Sequence, residues 1–70
     1  MRIELNGEPV DLPDGATVRD AALAAGAEPD GRGVAVALDG EVVPRGQLER
    51  TGLSEGQRVE VVSAIGGGAR

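Results

Sequence analysis

The chain has 70 residues, of which 40% are apolar, so it can bury one modest core and has no room for a second domain. It contains neither Cys nor His, which excludes a disulfide framework, a thiolate nucleophile, a Cys/His zinc site and an imidazole base. The net charge is −5 and the seven arginines are scattered, so nucleic acid is not expected as a partner. No apolar run is long enough to cross a bilayer, and we expect a soluble cytoplasmic protein with no membrane partner.

A β-hairpin and a helix are the first predicted elements. Apolar and polar residues alternate on both sides of Asn6-Gly7, which is a hairpin signal, and Pro9 indicates that the second strand starts late or lies at a sheet edge. The helix is expected to begin after Thr17, an N-cap with an acid three residues later, and to end at Gly26. Its slim apolar face consists of Val18, Ala21, Ala22, Leu23 and Ala25.

A hairpin of two further strands is predicted after the helix. Residues 34–38 form an uninterrupted apolar run, which is typical of a central strand buried on both faces. Asp39-Gly40 then predicts a tight turn into a short strand over residues 41–43, which Pro44 ends. The two strands should therefore pair directly with each other.

The remaining elements complete an α+β fold. A helical turn over residues 45–50, with Leu48 as its apolar anchor, precedes a last strand over residues 58–65. If that strand is central and pairs in parallel with the first, a mixed sheet of four to five strands wraps over one main helix, which is the β-grasp or ubiquitin-like roll. We therefore expect a single domain over residues 1–65 and a flexible glycine-rich tail over residues 66–70.

The glycine run Gly66, Gly67 and Gly68 is the segment most informative about chemistry. A carboxylate becomes a good electrophile as an acyl-adenylate, and a chain end that threads into another protein's nucleotide site must be slim and conformationally free, as glycine is. Most glycine runs are linkers or frayed ends. Only the position of this run after a predicted β-grasp strand favours a functional tail.

Three stretches carry a resemblance to a known family. They are residues 3–8 (IELNGE), residues 37–45 (ALDGEVVPR) and residues 53–68, which include GQRVEVV and AIGGG. With the matching length they cover nearly the whole chain, which resembles the ThiS family, the sulfur carrier proteins of thiamin (thiazole) biosynthesis. The VPR segment followed by a glycine end is the more specific part, whereas residues 12–18 (LPDGATV) also fit related β-grasp families.

The resemblance implies a protein co-substrate that is not itself an enzyme and has no catalytic residue, bound cofactor or metal of its own. An E1-like partner, ThiF, would adenylate the terminal glycine using ATP and magnesium. A sulfur donor such as a cysteine desulfurase would displace AMP to leave a C-terminal thiocarboxylate, which thiazole synthase, ThiG, would use. Gly68 is then the thiocarboxylate site, and Gly66 and Gly67 are the threading arm.

The sequence departs from the family pattern after the glycines, where Ala69 and Arg70 follow. An adenylating enzyme needs a free glycine carboxylate. Removal by a processing protease, an extension added for expression and loss of carrier function would each account for the two residues. Trimming or an added extension is favoured, because an intact triglycine would otherwise have little reason to follow a strand.

Docking to partners is expected on the exposed sheet face near the tail, which ubiquitin-like carriers commonly present. For the valines among these residues, a place in the core is the alternative, and for the charged residues an ordinary solvated surface. The predicted docking residues are Val43, Arg45, Arg58, Glu60, Val62 and Ala64.

Two other functions stay open at the level of sequence. A MoaD-like carrier for molybdopterin or cysteine synthesis would use the same chemistry, although such chains are usually longer and have aromatic core residues, which this chain lacks. A TGS-like binding module, linked to RNA or regulatory contacts, resembles residues 12–22. The net charge of −5 and the triglycine favour the carrier over that module.

Overall fold

The computed structural model describes residues 1–27 and 33–63. The elements in chain order are β1 (Arg2–Leu5), β2 (Glu8–Asp11), α1 (Val18–Ala24), β3 (Val34–Leu38), β4 (Glu41–Val43), a 3₁₀ turn (Arg45–Gln47) and β5 (Arg58–Ser63). The described strands form one five-stranded sheet in the order β2-β1-β5-β3-β4. Strands β1 and β5 are parallel, and the other neighbouring pairs are antiparallel. This is the mixed β-grasp sheet over one helix, so the predicted fold class is confirmed.

The edge position of β2 explains how this strand accommodates Pro9. Proline cannot donate to a ladder of hydrogen bonds, and at a sheet edge its missing N–H can face away from the neighbouring strand. Pro9 pairs with Glu4 in β1, and β2 is an edge strand of the sheet that the described residues form. The sequence predicted that the second strand either starts late or lies at a sheet edge. The structure shows that it lies at the edge and does not start late.

The prediction that β3 is a central strand buried on both faces is wrong. Strand β5 occupies the centre of the sheet, and in β3 only Val36 is buried while Ala35 is exposed. The reason is that the helix covers one face of the sheet, so a strand in this fold needs apolar residues on that face alone. Alanine tolerates exposure at little cost, which makes a continuous apolar run possible on a half-covered strand.

Helix α1 begins and ends where the sequence predicts. The backbone N–H of Thr17 donates to the Asp20 carboxylate at 2.8 Å, and the N–H of Val18 donates to the carbonyl oxygen of Thr51 at 2.9 Å. These bonds satisfy donors that have no partner within the first helical turn. Gly26, with a φ of 94°, takes the left-handed conformation that ends the helix.

The core is one aliphatic cluster between α1 and the sheet. Leu48 is 5% exposed, as expected of the apolar anchor after the 3₁₀ turn. No polar side chain is buried within the described ranges. The buried residues of the cluster are Ile3, Leu5, Val18, Ala21, Ala22, Val36, Leu48, Leu53 and Val59.

The end of β5 at Ser63 is also the end of the described chain. Ala64 and the predicted tail over residues 66–70 lie outside the described residues, so the domain boundary at residue 65 stays a prediction. In the part of the chain that the structure describes, no helix combines the length and apolar character needed to cross a membrane.

Candidate functional site

Strand β5 is the element that leads to the glycine run. On one side it pairs with β3 as far as Ser63, which lies opposite Val34. On the other side its register with β1 ends where Leu5 lies opposite Val59. As far as Ser63, β5 is therefore paired on the β3 side, whereas its pairing with β1 ends four residues earlier, at Val59.

Alternate residues of β5 face opposite sides of the sheet. Val59 is 0% exposed and packs in the core, whereas Arg58, Glu60 and Val62 point to the face opposite the helix. We call this uncovered side of the sheet the open face. Three of the predicted docking residues therefore lie in one row on it.

The open face is apolar over β3 and β4. Val62 lies opposite Ala35, and Ala37 lies opposite Val42 in the neighbouring pair. Val42 is 74% exposed and Val62 is 60% exposed, and they are the large hydrophobic residues that the described chain leaves in solvent. We call these four residues the apolar patch.

Val43 lies on the other face. It pairs with Val36 and packs against the core, so the core interpretation of Val43 holds and Val42 is the neighbour that reaches the open face. The length of the turn between β3 and β4 could have identified Val42 as the valine on the open face. A two-residue turn pairs Leu38 with Glu41, and counting outward from that pair assigns each valine to its face.

Arg45 and Ala64 are the remaining predicted docking residues. Arg45 is exposed and opens the 3₁₀ turn that follows Pro44, so it lies beyond the end of β4 and outside the row on β5. A groove of about 250 Å³ runs beside β4 and is lined in part by Val43 and Pro44, which belong to the VPR segment. Ala64 lies outside the described residues.

Charged residues cover the open face over β1 and β2, and they are paired. Arg58 Nε lies 4.0 Å from Glu4 Oε1, and Arg2 Nε donates to Asp11 Oδ1 at 3.1 Å. The hydrogen bond from Arg2 lowers the pKa of Asp11, and the same bond raises the pKa of the Arg2 guanidinium. The open face thus combines a charge-compensated half with the apolar patch.

The described residues offer no group of three or more carboxylates able to hold a metal ion. Four charged side chains of the open face form two ion pairs with one another, Arg2 with Asp11 and Arg58 with Glu4. The open face can present an apolar area with charged neighbours to another protein. This area lies beside β5, the strand that precedes the glycines in the sequence.

Comparisons with known proteins identify a family and similar solved structures. The model of the ThiS family matches residues 3–68, which include β5 and the three glycines. The crystal structure of the thiamine biosynthesis protein ThiS from Geobacter metallireducens is 26% identical, with a TM-score of 0.74, over 90% of this chain and 93% of that chain. An NMR structure of a thiamine biosynthesis protein from the same organism is 30% identical, with a TM-score of 0.72, over 89% and 81%. No curated protein matches the chain.

Proposed function

Because the chain belongs to the ThiS family, the small sulfur carriers of thiamine biosynthesis, we propose that it carries sulfur as a thiocarboxylate on Gly68. The observation that supports this assignment best is the family match, which extends through Gly68. Glycine at this end is suited to the task, because a chain without Cβ atoms can enter a narrow nucleotide site in conformations closed to other residues.

The proposed chemistry has two steps, both on the Gly68 carboxyl group. One carboxylate oxygen attacks the α-phosphorus of ATP, pyrophosphate leaves, and an acyl-adenylate forms. A sulfur nucleophile then attacks the carbonyl carbon, the bond to the AMP oxygen breaks, and sulfur remains on the carbon. Where the donor is the persulfide of a cysteine desulfurase, a thiol reductant opens the resulting disulfide to release the thiocarboxylate.

The catalytic groups belong to the partners in this proposal. The chain has no His or Cys to act as base or nucleophile. An E1-like, ThiF-like enzyme supplies the nucleotide site, ATP and magnesium, and a ThiG-like thiazole synthase accepts the sulfur. The chain is then a co-substrate of these enzymes, and the need for ATP assigns the reaction to the cytoplasm.

Cleavage after Gly68 precedes activation. Ala69 follows Gly68 in a peptide bond, so the carboxylate that attacks ATP does not exist until that bond is hydrolysed. We assign this step to a processing protease that removes Ala69 and Arg70. In this proposal, the form that ends at Gly68 is the active carrier.

The open face is the proposed docking surface for both enzymes. Its apolar patch supports this role, because contiguous exposed valines and alanines on a small protein are typical of a protein contact. Arg58 and Glu60 lie in the same row as Val62 and give the contact its charged neighbours. The docked partner then lies next to the strand from which the glycines continue.

The test is adenylation by a purified ThiF-like enzyme from the same organism. The form that ends at Gly68 should release pyrophosphate from ATP and, with sulfide, gain the oxygen-to-sulfur mass increment in its C-terminal peptide. The 70-residue chain is the matched control and should do neither. Absence of pyrophosphate release from the shorter form, together with an unmodified C-terminus in protein isolated from its own cells, would refute the proposal.

A further inference from the structure

Asn6 and Asp39 occupy equivalent places in the fold. Each lies at the end of a strand that flanks β5, and each precedes a glycine in a tight turn. Their φ angles are 51° and 50°, the left-handed values that such turns require and that Asn and Asp tolerate. Both side chains reach across to the backbone of β5, 19 or more positions away in sequence.

The Asn6 side chain takes the place of a peptide group in the ladder between β1 and β5. The backbone N–H of Asn6 donates to the carbonyl oxygen of Val59 at 2.9 Å. Beyond that bond, Asn6 Oδ1 accepts from the N–H of Val61 at 2.8 Å, and Asn6 Nδ2 donates to the carbonyl oxygen of Val61 at 3.3 Å. A carboxamide has the donor and the acceptor of a peptide unit, so it extends the ladder past the end of β1.

Asp39 makes the corresponding side-chain contact with the backbone at the other end of β5. Its backbone N–H donates to the carbonyl oxygen of Arg58 at 2.8 Å, and its Oδ1 accepts from the N–H of Arg58 at 2.9 Å. Its second oxygen accepts from Gln57 Nε2 at 3.1 Å. Asp39 therefore holds the first residue of β5, whereas Asn6 holds Val61, on the side of the strand nearer the glycines.

We propose that Asn6 is a positioning residue for the reactive end, an inference that rests on the proposed function. By holding both polar groups of Val61, the Asn6 side chain keeps β5 in the sheet on the side where β1 has already ended. Without these bonds Val61 is held by β3 alone, so the end of β5 fluctuates more and more backbone must be ordered when Gly68 enters a partner's nucleotide site. Ordering more backbone weakens productive binding and leaves the chemical step unchanged, because Asn6 touches no reacting atom.

The test compares Asn6→Gly with the matched variant Asp39→Gly. Both substitutions keep the left-handed turn possible and both delete a side chain that holds β5, but only Asn6 lies toward the glycines. Hydrogen exchange of the Val61 amide, measured by NMR on the full chain, should accelerate about tenfold or more in Asn6→Gly. In the form that ends at Gly68, KM for adenylation should rise roughly fivefold with kcat within about twofold of wild type.

Asp39→Gly should accelerate exchange at Arg58 and leave KM within about twofold of wild type. An unchanged KM in Asn6→Gly, or an equal rise in both variants, overturns the positioning role, since the second result reports general destabilisation. Asn6→Asp keeps the acceptor for Val61 N–H and loses the donor. If Asn6→Gly does not fold, this variant decides: an intermediate rise in KM supports the role and a wild-type KM overturns it.

Failure of the proposed function is distinguishable from failure of this inference. Wild-type protein that ends at Gly68 and is not adenylated refutes the carrier proposal, and the positioning role with it. Normal turnover of wild type together with an unaffected Asn6→Gly refutes the positioning role alone.

Discussion

Arg2 and Asp11 form the clearest ion pair of the open face, with the guanidinium Nε 3.1 Å from the carboxylate. Both side chains are largely exposed, so water and salt screen the attraction and its contribution to folding is small. The pair still perturbs titration, because the hydrogen bond from Arg2 holds the pKa of Asp11 below its ordinary value of 3.8.

Asp11→Asn should lower the melting temperature slightly at neutral pH, and the difference from wild type should vanish in acid. A carboxyl group whose pKa falls on folding stabilises the protein above its unfolded pKa, and this stabilisation is lost as the pH drops through the folded pKa. The relevant window therefore lies around and below pH 3.8. Thermal melts of both proteins across that range measure the effect, and a difference that is independent of pH would mean that Asp11 acts through packing.

Arg58→Glu should weaken binding of the ThiF-like partner and leave the fold intact. The substitution reverses a charge in the row beside Val62 and faces Glu4 with a second acid, but it buries nothing. Calorimetric titration measures binding, and a circular dichroism melt checks the fold. Glu41→Arg is a matched control that should leave binding unchanged. It also reverses an exposed charge, but it lies at the first residue of the edge strand β4, outside the row on β5. Equal binding by wild type and Arg58→Glu would contradict the assignment.

At the scale of the elements, strand β5 contributes one valine to the core and another to the open face. Val59 anchors the strand in the core between the helix and the sheet, and Val62 lies on the open face. Alternation is what makes this division possible, because successive side chains of a strand face opposite sides. Stability and recognition can then be changed independently by substitutions three positions apart.

Val59→Ala should destabilise the fold by about 2 kcal/mol, because it removes two buried methyl groups from a site that cannot collapse completely. Val62→Ala removes the same atoms from a side chain that is 60% exposed and should change stability by less than about 0.5 kcal/mol. Urea unfolding of both variants gives the comparison. Similar losses in the two would mean that Val62 packs more tightly than its exposure indicates.

Local signals were sufficient to predict the elements of this chain. The Asn-Gly and Asp-Gly turns, the Thr17 N-cap and the Gly26 stop depend on residues a few positions apart, and all of them are found as expected. The errors concern long-range arrangement. An apolar run does not reveal that only one face of β3 is covered, and nothing near Asn6 reveals a contact with Val61, which is 55 residues away.

Local sequence patterns also predicted part of the candidate site, and the part that depends on strand pairing could not be predicted. Alternation along β5 groups Arg58, Glu60 and Val62 on one face without any knowledge of the partner strands. Strand β4 has only three residues, so its alternation alone cannot show whether Val42 or Val43 faces the helix. That choice depends on register with β3, which the turn between them sets.

At the scale of the whole molecule, the fold and the proposed chemistry occupy separate parts of the sequence. Among the described residues, the buried members of the core cluster lie between Ile3 and Val59, and the proposed reactive group follows nine residues later in the sequence, at Gly68. The chain can therefore lose reactivity without losing stability. In an enzyme of this size, by contrast, the reacting groups would lie on the folded elements themselves.

Gly67→Val in the form that ends at Gly68 tests this separation. A β-branched residue restricts the backbone and adds bulk where the chain must thread, so adenylation should fall by about 100-fold or more. The free energy of unfolding should stay within about 0.5 kcal/mol of wild type, because Gly67 lies eight residues beyond Val59, the last described buried residue of the core cluster. Pyrophosphate release and urea unfolding measure the two quantities. Gly31→Val makes the same change at a glycine far from the tail in sequence and should leave adenylation unaffected. Normal activity in Gly67→Val would show that the reaction does not require a slim chain end.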